Sequence, residues 1–252
     1  AASTLMLASM KNAVTVSLGF QPEGAAMLGA DLTTHGYTRE RGLQFQKNLL
    51  RLARELPGIE SAGITSAAPL EFSMSNDSVY EAGQPEPPPS QMTMAQTFWV
   101  SPDYFKTMRT RLLAGRDHAD TDSAGKPPVI LVNAEFTRQI LKLARPELAV
   151  GKKLHTGGKD KEIIGVVEDG KYFGLNEAPK AAMFHHSDQT YTSSFRLVWR
   201  VREGSPDASV QRMRDLVNSL DGELAISPAQ TLDEHMHLPL LPTRIATGAL
   251  SV

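Results

Sequence analysis

The fold is decided by residues 56–67, which are Leu56-Pro57-Gly58-Ile59-Glu60-Ser61-Ala62-Gly63-Ile64-Thr65-Ser66-Ala67. Pro57 and Gly58 end a helix, because proline and glycine both oppose its continuation. From Ile59 onward the residues alternate in the manner of a strand. Upstream, leucines recur near helical spacing after Thr38, which can cap the helix, although Arg41 rather than Glu stands three residues on. With a short apolar strand at 25–32, the sequence predicts a strand–helix–strand unit over residues 25–67.

The rest of the chain alternates less regularly between strands and helices. A stiff connection is expected at 84–90, where four prolines favour polyproline geometry. Strands are predicted at Val79-Tyr80 (as an edge strand), Met92–Val100, Val129–Val132, Lys153–His155, Glu162–Val167, Ala182–Phe184, Phe195–Val201 and Leu224–Ser227. Helices are predicted at 103–108, 135–143 and 207–220, and a last one is capped by Thr231 with Glu234 in a capping box. This order favours an α+β fold over a doubly wound sheet.

Composition excludes several function classes. The 252 residues are 41% hydrophobic and 21% charged, with a net charge of −2, which is typical of a globular protein. No basic stripe is present to neutralise a phosphate backbone, so nucleic acid is not an expected partner. The absence of cysteine excludes disulfides, cysteine zinc sites and thiol nucleophiles.

Both ends of the chain are apolar but contain no membrane span. A span requires about 20 consecutive apolar residues, whereas residues 1–10 are short and residues 238–252 are interrupted by prolines and Arg244. We expect residues 1–18 to be a membrane-proximal stalk remnant, and the alternative for the two ends of the chain is a pair of ordinary terminal helices. Residues 238–252 are expected to begin a segment that leads to the next transmembrane helix.

Eight short phrases occur in an order that resembles one family. They are 18–20 (LGF), 56–62 (LPGIESA), 100–105 (VSPDYF), 113–117 (LAGRD), 132–133 (VN), 151–154 (GKKL), 164–169 (IGVVED) and 231–234 (TLDE). Together they resemble the MacB-type periplasmic core domain of MacB, FtsX-like and orphan ABC transporter permeases, over residues 18–237. Each phrase alone is weak evidence for the family, but eight phrases in the same order make the resemblance specific.

The resemblance implies a two-lobed α+β domain on the periplasmic side of the bacterial inner membrane. A porter-like βαβ lobe would comprise residues 19–98 and 190–237, and an inserted mixed α/β, Sabre-like lobe would comprise residues 99–189. Both ends would return to the same membrane face. The implied role is to transmit conformational change in transport or efflux.

The implied partners are the permease's own transmembrane helices, a separate cytoplasmic ATPase, a periplasmic protein and a second copy of the permease. The chain has no Gly-x-x-x-x-Gly-Lys-Ser/Thr loop, so no cofactor such as ATP is expected on it.

Several histidines and aspartates are candidate metal ligands. His185 and His186 are adjacent on a predicted strand and therefore point to opposite faces. His235 and His237 are two apart, which separates them around a helix. The acidic loop with Asp117, Asp120 and Asp122 lacks the glycine and closing glutamate of a calcium loop, so a solvated turn is expected. No metal site is assigned.

No catalytic or cofactor-binding residue is assigned either. There is no Gly-x-Ser-x-Gly elbow. The pair Glu168-Asp169 is expected to cap the exit from a strand, the sequon at 76–78 is expected to carry no sugar, and Met92 and Met94 are expected to pack in the core. The domain is therefore expected not to be an enzyme. The alternatives are a periplasmic ligand-sensing domain with a cleft between lobes, and a periplasmic enzyme.

Overall fold

A computed structural model describes residues 17–71 and 75–236, where strands outnumber helices. The strands are β1 (Ala25–Asp31), β2 (Ile59–Thr65), β3 (Asn76–Glu81), β4 (Thr93–Val100), β5 (Leu112–Gly115), β6 (Val129–Asn133), β7 (Lys153–Thr156), β8 (Lys159–Val167), β9 (Ala182–His186), β10 (Ser194–Val201) and β11 (Gln230–Thr231). The α-helices are α1 (Arg39–Glu55), α2 (Tyr104–Met108), α3 (Ala134–Gln139) and α4 (Asp207–Leu220), and residues 232–236 are also helical. The α+β class is confirmed.

The strand–helix–strand unit predicted over residues 25–67 is present as β1, α1 and β2. These two strands do not pair with each other. Instead β10 lies between them, antiparallel to both, and β11 pairs with the outer edge of β1, so the sheet order is β11-β1-β10-β2. The sheet is complete only when strands from both ends of the described chain have come together.

Helix α1 forms where its sequence provides both a cap and an apolar stripe. The Thr38 hydroxyl accepts a hydrogen bond from the Arg41 backbone N–H at 3.3 Å. Phe45, Leu49 and Ala53, spaced four residues apart, are buried on one side of the helix. They belong to a cluster that α1 and α4 form over one face of the sheet, with Trp199 at its centre. This face is therefore closed by helices.

Six other strands form a closed ring. Pairing runs from β4 to β3, β7, β8, β6, β9 and back to β4, while β5 pairs outside the ring with β8. Each ring strand contributes to one buried apolar cluster, whose members include Val79, Ala95, Ile130, Leu154, Ile163 and Met183. The ring is therefore filled by side chains and leaves none of its six strands without a neighbour on either side.

A third apolar cluster joins the ring to the four-stranded sheet. It contains Met27 and Val198 from the sheet, Phe98 and Phe184 from the ring, and Phe105 from α2. We call it the junction core. The only direct strand pairing between the sheet and the ring is Thr65 of β2 with Val100 of β4, within the described ranges. Side-chain packing therefore holds the two groups of strands together more than backbone pairing does.

Three local predictions are wrong. The expected edge strand at Val79-Tyr80 is part of β3, which pairs on both sides, with β4 and β7. The expected strand at 224–227 is reduced to an isolated bridge between Ile226 and Ala30. The helix expected over 135–143 ends at Gln139, because Lys142 adopts a positive φ of 56° and the chain turns away.

Strand pairing also bears on the expected boundary at residues 98 and 99. Strands β3 and β4 pair mainly with strands of residues 99–189, whereas β10 pairs with β1 and β2. By their pairing, β3 and β4 therefore belong with the ring, although most of their residues precede the expected boundary.

None of the helices in residues 17–71 and 75–236 has the length and apolarity needed to cross a bilayer.

Candidate functional site

Both ends of the described chain meet at two loops, residues 66–71 and 169–175, which we call the basal loops. The Lys171 N–H donates to the Leu18 carbonyl at 2.9 Å, and the Leu70 N–H donates to the Tyr172 carbonyl at 2.7 Å. The first basal loop follows β2 of the sheet, and the second follows β8 of the ring. The segment at Leu18 is thus bonded to the loop from the ring, which is bonded in turn to the loop from the sheet.

The other end is fixed to the same place by a cap. Thr231 and Glu234 form the predicted capping box: the Thr231 N–H donates to the Glu234 carboxylate at 2.8 Å, and the Glu234 N–H donates to the Thr231 hydroxyl at 3.0 Å. One turn later, His235 Nε2 lies 2.9 Å from the Pro69 carbonyl in the first basal loop. Met236 is buried in the junction core, and Leu18 packs against that core.

Close backbone approach at the base requires a glycine. Gly19 has a φ of 74°, and a Cβ atom there would lie 2.3 Å from the Asp169 carbonyl oxygen. The Gly19 carbonyl in turn accepts from the Thr110 hydroxyl at 2.7 Å. The segment after Leu18 is therefore held against the ring side of the base.

A buried arginine connects this segment to the sheet. The Arg200 side chain on β10 is 1% exposed and donates to three backbone carbonyls, those of Thr107 at 2.7 Å, Gln21 at 2.5 Å and Glu23. Burial lowers the pKa of Arg200, with no carboxylate within 4.0 Å among the described residues. Its charge is satisfied by carbonyl dipoles, so it fixes the 21–23 loop and α2 to the sheet.

Glu168 and Asp169 act together as structural ligands at the end of β8. Glu168 accepts from the Arg111 backbone N–H at 2.7 Å and from its Nε at 2.9 Å. Asp169 accepts from the Glu135 N–H at 2.6 Å, at the first turn of α3, and pairs with Arg138. The two carboxylates therefore fix the end of β8 to Arg111 and to the start of α3. Each is bonded to these groups and not to the other, so they do not form an acid–base pair.

A cleft of about 440 Å³ runs between α1 and the ring. Lys47 on α1 pairs with Asp188, after β9, at 2.6 Å. Further along, Arg54 donates to the Pro102 carbonyl at 2.8 Å and lies 3.3 Å from Asp103. The two groups of strands are thus bridged across this cleft by charged side chains that solvent can reach.

The histidines considered as ligands point apart. His185 Nδ1 lies 2.6 Å from Lys161 Nζ, whereas His186 Nε2 lies 3.1 Å from the Ala119 carbonyl and its ring contacts His118. Residues 17–71 and 75–236 contain no group of three or more His, Cys, Asp or Glu side chains that could hold a metal ion. His235 binds Pro69 instead, and His237 lies outside the described residues.

The acidic loop is more ordered than a solvated turn. Asp122 is buried and forms a two-point ion pair with Arg116, at 2.6 and 2.8 Å. Burial raises the pKa of Asp117 to about 6. Asp120 keeps the exposed position that was expected. The expectation for Met94 is wrong, because its side chain is 53% exposed on β4. In the sequon at 76–78, all three residues lie in β3.

Sequence reasoning missed the burial of Arg200, Lys161 and His118, which are each at most 4% exposed. The alternation of β10 does place Arg200 on the same face as Val198, which could have indicated a buried guanidinium. For Lys161 and His118 no local pattern gives that signal, since their burial comes from strands distant in sequence.

Two solved structures share this fold. The periplasmic region of MacB from Actinobacillus actinomycetemcomitans has a TM-score of 0.59 at 13% identity and covers 90% of this chain and 97% of that chain. The extracellular domain of the noncanonic ABC-type transporter YknZ from Gram-positive bacteria has a TM-score of 0.53 at 13% identity and covers 82% and 98%. Among curated proteins, none matches the chain in sequence. At this identity the likeness shows that the chain has the same fold as these two domains.

A match to a family model shows the family of the chain. The model of the MacB-like periplasmic core domain matches residues 1–216, and the chain belongs to this family. It is the periplasmic core domain of a MacB-like ABC transporter permease, on the periplasmic side of the membrane. The family is one of transporter permeases, not a known family of enzymes, and it implies membrane helices and an ATPase as partners.

Proposed function

We propose that this domain transmits conformational change between the membrane helices of its permease and the periplasm. The observation that carries the proposal is the base, where segments from both ends of the described chain contact one loop from the sheet and one from the ring. A relative displacement of the two ends would therefore act on both groups of strands at once. Packed elements respond to such displacements by rigid-body movement between discrete arrangements.

The two-lobed layout belongs to the same proposal. The sheet with α1 and α4 would form the porter-like lobe, and the strands of residues 99–189 with their ring partners β3 and β4 would form the inserted lobe. A single strand pairing and the junction core connect them. The cleft along α1 is then the place where the lobes approach and separate.

Partners beyond the membrane helices and the ATPase are also proposals. A periplasmic protein would receive the movement at the exposed surface of the ring. A second copy of the permease would pair through the membrane-proximal ends. Neither is needed for the test that follows, which addresses movement within one chain.

The test is a reversible cross-link across the cleft in the full-length permease with its ATPase. Lys47→Cys and Asp188→Cys replace a pair whose side chains approach to 2.6 Å, in a domain without native cysteine. A short, cleavable bismaleimide should lower the rate of ATP hydrolysis, and cleavage of the linker should restore it.

The matched control is the pair Arg51→Cys and Glu55→Cys, one turn apart on α1, where the same chemistry does not cross the cleft. It should leave the rate unchanged. Full ATPase activity in the cleft-linked permease would contradict the proposal.

A further inference from the structure

A second cavity, of about 420 Å³, lies between the start of α1 and one end of the ring. Of the described residues that line it, none is a carboxylate and four are cationic: Arg39 at the first turn of α1, Lys126 before β6, and Lys159 and Lys161 at the start of β8. We call it the basic cavity. It is distinct from the cleft along α1 and shares no lining residue with it.

The four cations of the basic cavity form no close ion pair with a carboxylate in the part of the chain that the structure describes. Across residues 17–71 and 75–236, salt bridges within 4.0 Å involve other cations, and none includes any of these four. The chain as a whole carries a net charge of −2. The cavity is therefore positively charged, although the chain as a whole is negatively charged.

Lys161 is the unusual member, because it is only 4% exposed. Its Nζ atom lies 2.6 Å from His185 Nδ1 and 3.5 Å from the Thr190 hydroxyl. An ammonium has three donors, and these two contacts leave one for the cavity. Burial lowers the pKa of Lys161 to about 8; Asp77 opposes this shift, and Lys159 adds to it. Burying a charge is unfavourable unless a counter-charge accompanies it.

The walls of the cavity are set before any ligand arrives. Gln189 accepts from the Val129 N–H and donates to the Pro127 carbonyl, both at 3.0 Å, which fixes one wall. The Arg39 guanidinium lies over the Tyr191 ring, 5.9 Å from its centre. Arg39 also stands at the positive end of a 17-residue helix, where anions are stabilised. Four cationic side chains thus surround one preformed cavity.

We propose that the basic cavity binds a phosphate-bearing anion with at least two negative charges. Phosphate oxygens accept strong charge-assisted hydrogen bonds from lysine and arginine. The volume suits a group of the size of a pyrophosphate or a phosphorylated headgroup rather than a whole lipid. Such a ligand could be a free phosphate compound in the periplasm or the headgroup of a membrane lipid, and the test distinguishes them. The inference does not depend on the proposed transmission of movement.

The experiment measures binding to the 252-residue chain by titration calorimetry, with inorganic pyrophosphate at constant ionic strength. A separate arm measures co-sedimentation with vesicles that contain cardiolipin, whose headgroup carries two phosphates, against vesicles of phosphatidylcholine. We expect saturable binding of pyrophosphate or of the cardiolipin vesicles. The arm that responds identifies the source of the ligand.

Two variants assign any binding to the cavity. Lys126→Gln with Lys159→Gln removes two exposed charges and should weaken binding at least about tenfold without affecting folding. Lys161→Gln should weaken it further if the chain folds. The control is Lys106→Gln, an exposed lysine outside the cavity, which should bind as the unmodified chain does.

Two results would overturn the proposal. One is the absence of binding in both arms. The other is binding that the Lys126 and Lys159 variant retains in full, because the anion would then lie elsewhere. Since the first variant alters only exposed side chains, a failure of Lys161→Gln to fold does not remove the test.

Discussion

At the scale of single residues, the structure depends on ionisable side chains that are buried without an ion-pair partner. His118 is 4% exposed, and Arg200 and Lys161 are similarly enclosed. Their partners are carbonyls, a hydroxyl and a neutral imidazole. Such groups make the free energy of unfolding depend on pH. Whether it rises or falls with pH follows from the direction of the pKa shift of each group.

His118 should weaken the fold as the pH falls. Burial, with a contribution from His186, lowers its pKa from 6.5 to about 3. Between these values the unfolded chain binds a proton that the folded chain excludes, so stability decreases with falling pH. At pH 5 the loss from this residue is roughly 2 kcal/mol. In His118→Gln, urea denaturation at pH 7 and pH 5 should show a smaller difference than in the unmodified chain.

The neighbouring Asp117 provides a control of opposite sign. Burial raises its pKa to about 6, above the ordinary 3.8, so the folded chain holds its proton more tightly. Its contribution to stability therefore grows as the pH falls from about 6 towards 3.8. Asp117→Asn should steepen the loss on acidification. An unchanged pH dependence in both variants would show that neither group is buried in solution.

At the scale of elements, α1 is shaped as much by its neighbour as by its own sequence. Gly42 lies inside the helix, where glycine is less favourable than alanine by about 1 kcal/mol. A Cβ atom there would lie 1.9 Å from the Tyr191 hydroxyl oxygen. Glycine at position 42 therefore allows Tyr191 to approach the helix closely. Tyr191 also lines the basic cavity.

A double-mutant cycle tests this reading of α1. Gly42→Ala should destabilise the chain in spite of its better helix propensity, because the tyrosine must be displaced. In the background of Tyr191→Ala the same substitution should stabilise the chain by up to about 1 kcal/mol. The measurement is the free energy of unfolding of all four proteins. Equal effects in the two backgrounds would mean that the contact is absent.

Sequence reasoning succeeded where structure is local and failed where it is not. The cap at Thr38, the helix end at Pro57 and the box of Thr231 with Glu234 follow from short-range hydrogen bonding and backbone restriction. The edge position predicted for β3 and the burial predicted for Met94 depended on which strands lie alongside, and no local pattern contains that information. That both ends of the domain lie at one side was expected from the family resemblance alone, since the basal loops meet only through tertiary contacts.

At the scale of the whole molecule, the sheet and the ring share one core. Phe184 from the ring packs in the junction core with Met27 and Val198 from the sheet. Neither group can lose its structure without exposing apolar surface of the other. We therefore expect one cooperative unfolding transition, although strand pairing divides the chain into two groups.

The two tryptophans allow this to be measured. Trp99 lies in β4 of the ring and Trp199 in β10 of the sheet, and the chain has no other tryptophan. In Trp99→Phe the fluorescence reports the sheet, and in Trp199→Phe it reports the ring. Each should follow the same urea transition as the circular dichroism of that variant. A fluorescence midpoint that departs from it would show that the two groups unfold independently.

The order β1-β10-β2 has a consequence for how the domain is made. Strands β1 and β2 have no partner in the sheet until residues 194–201 have followed them out of the ribosome and across the membrane. The ring likewise cannot close before β9 arrives. Pairings so distant in sequence form slowly, and unpaired strands are prone to aggregate. Nearly the whole domain must therefore be delivered before any of its sheet is complete, and during that interval the nascent segment depends on protection from outside itself.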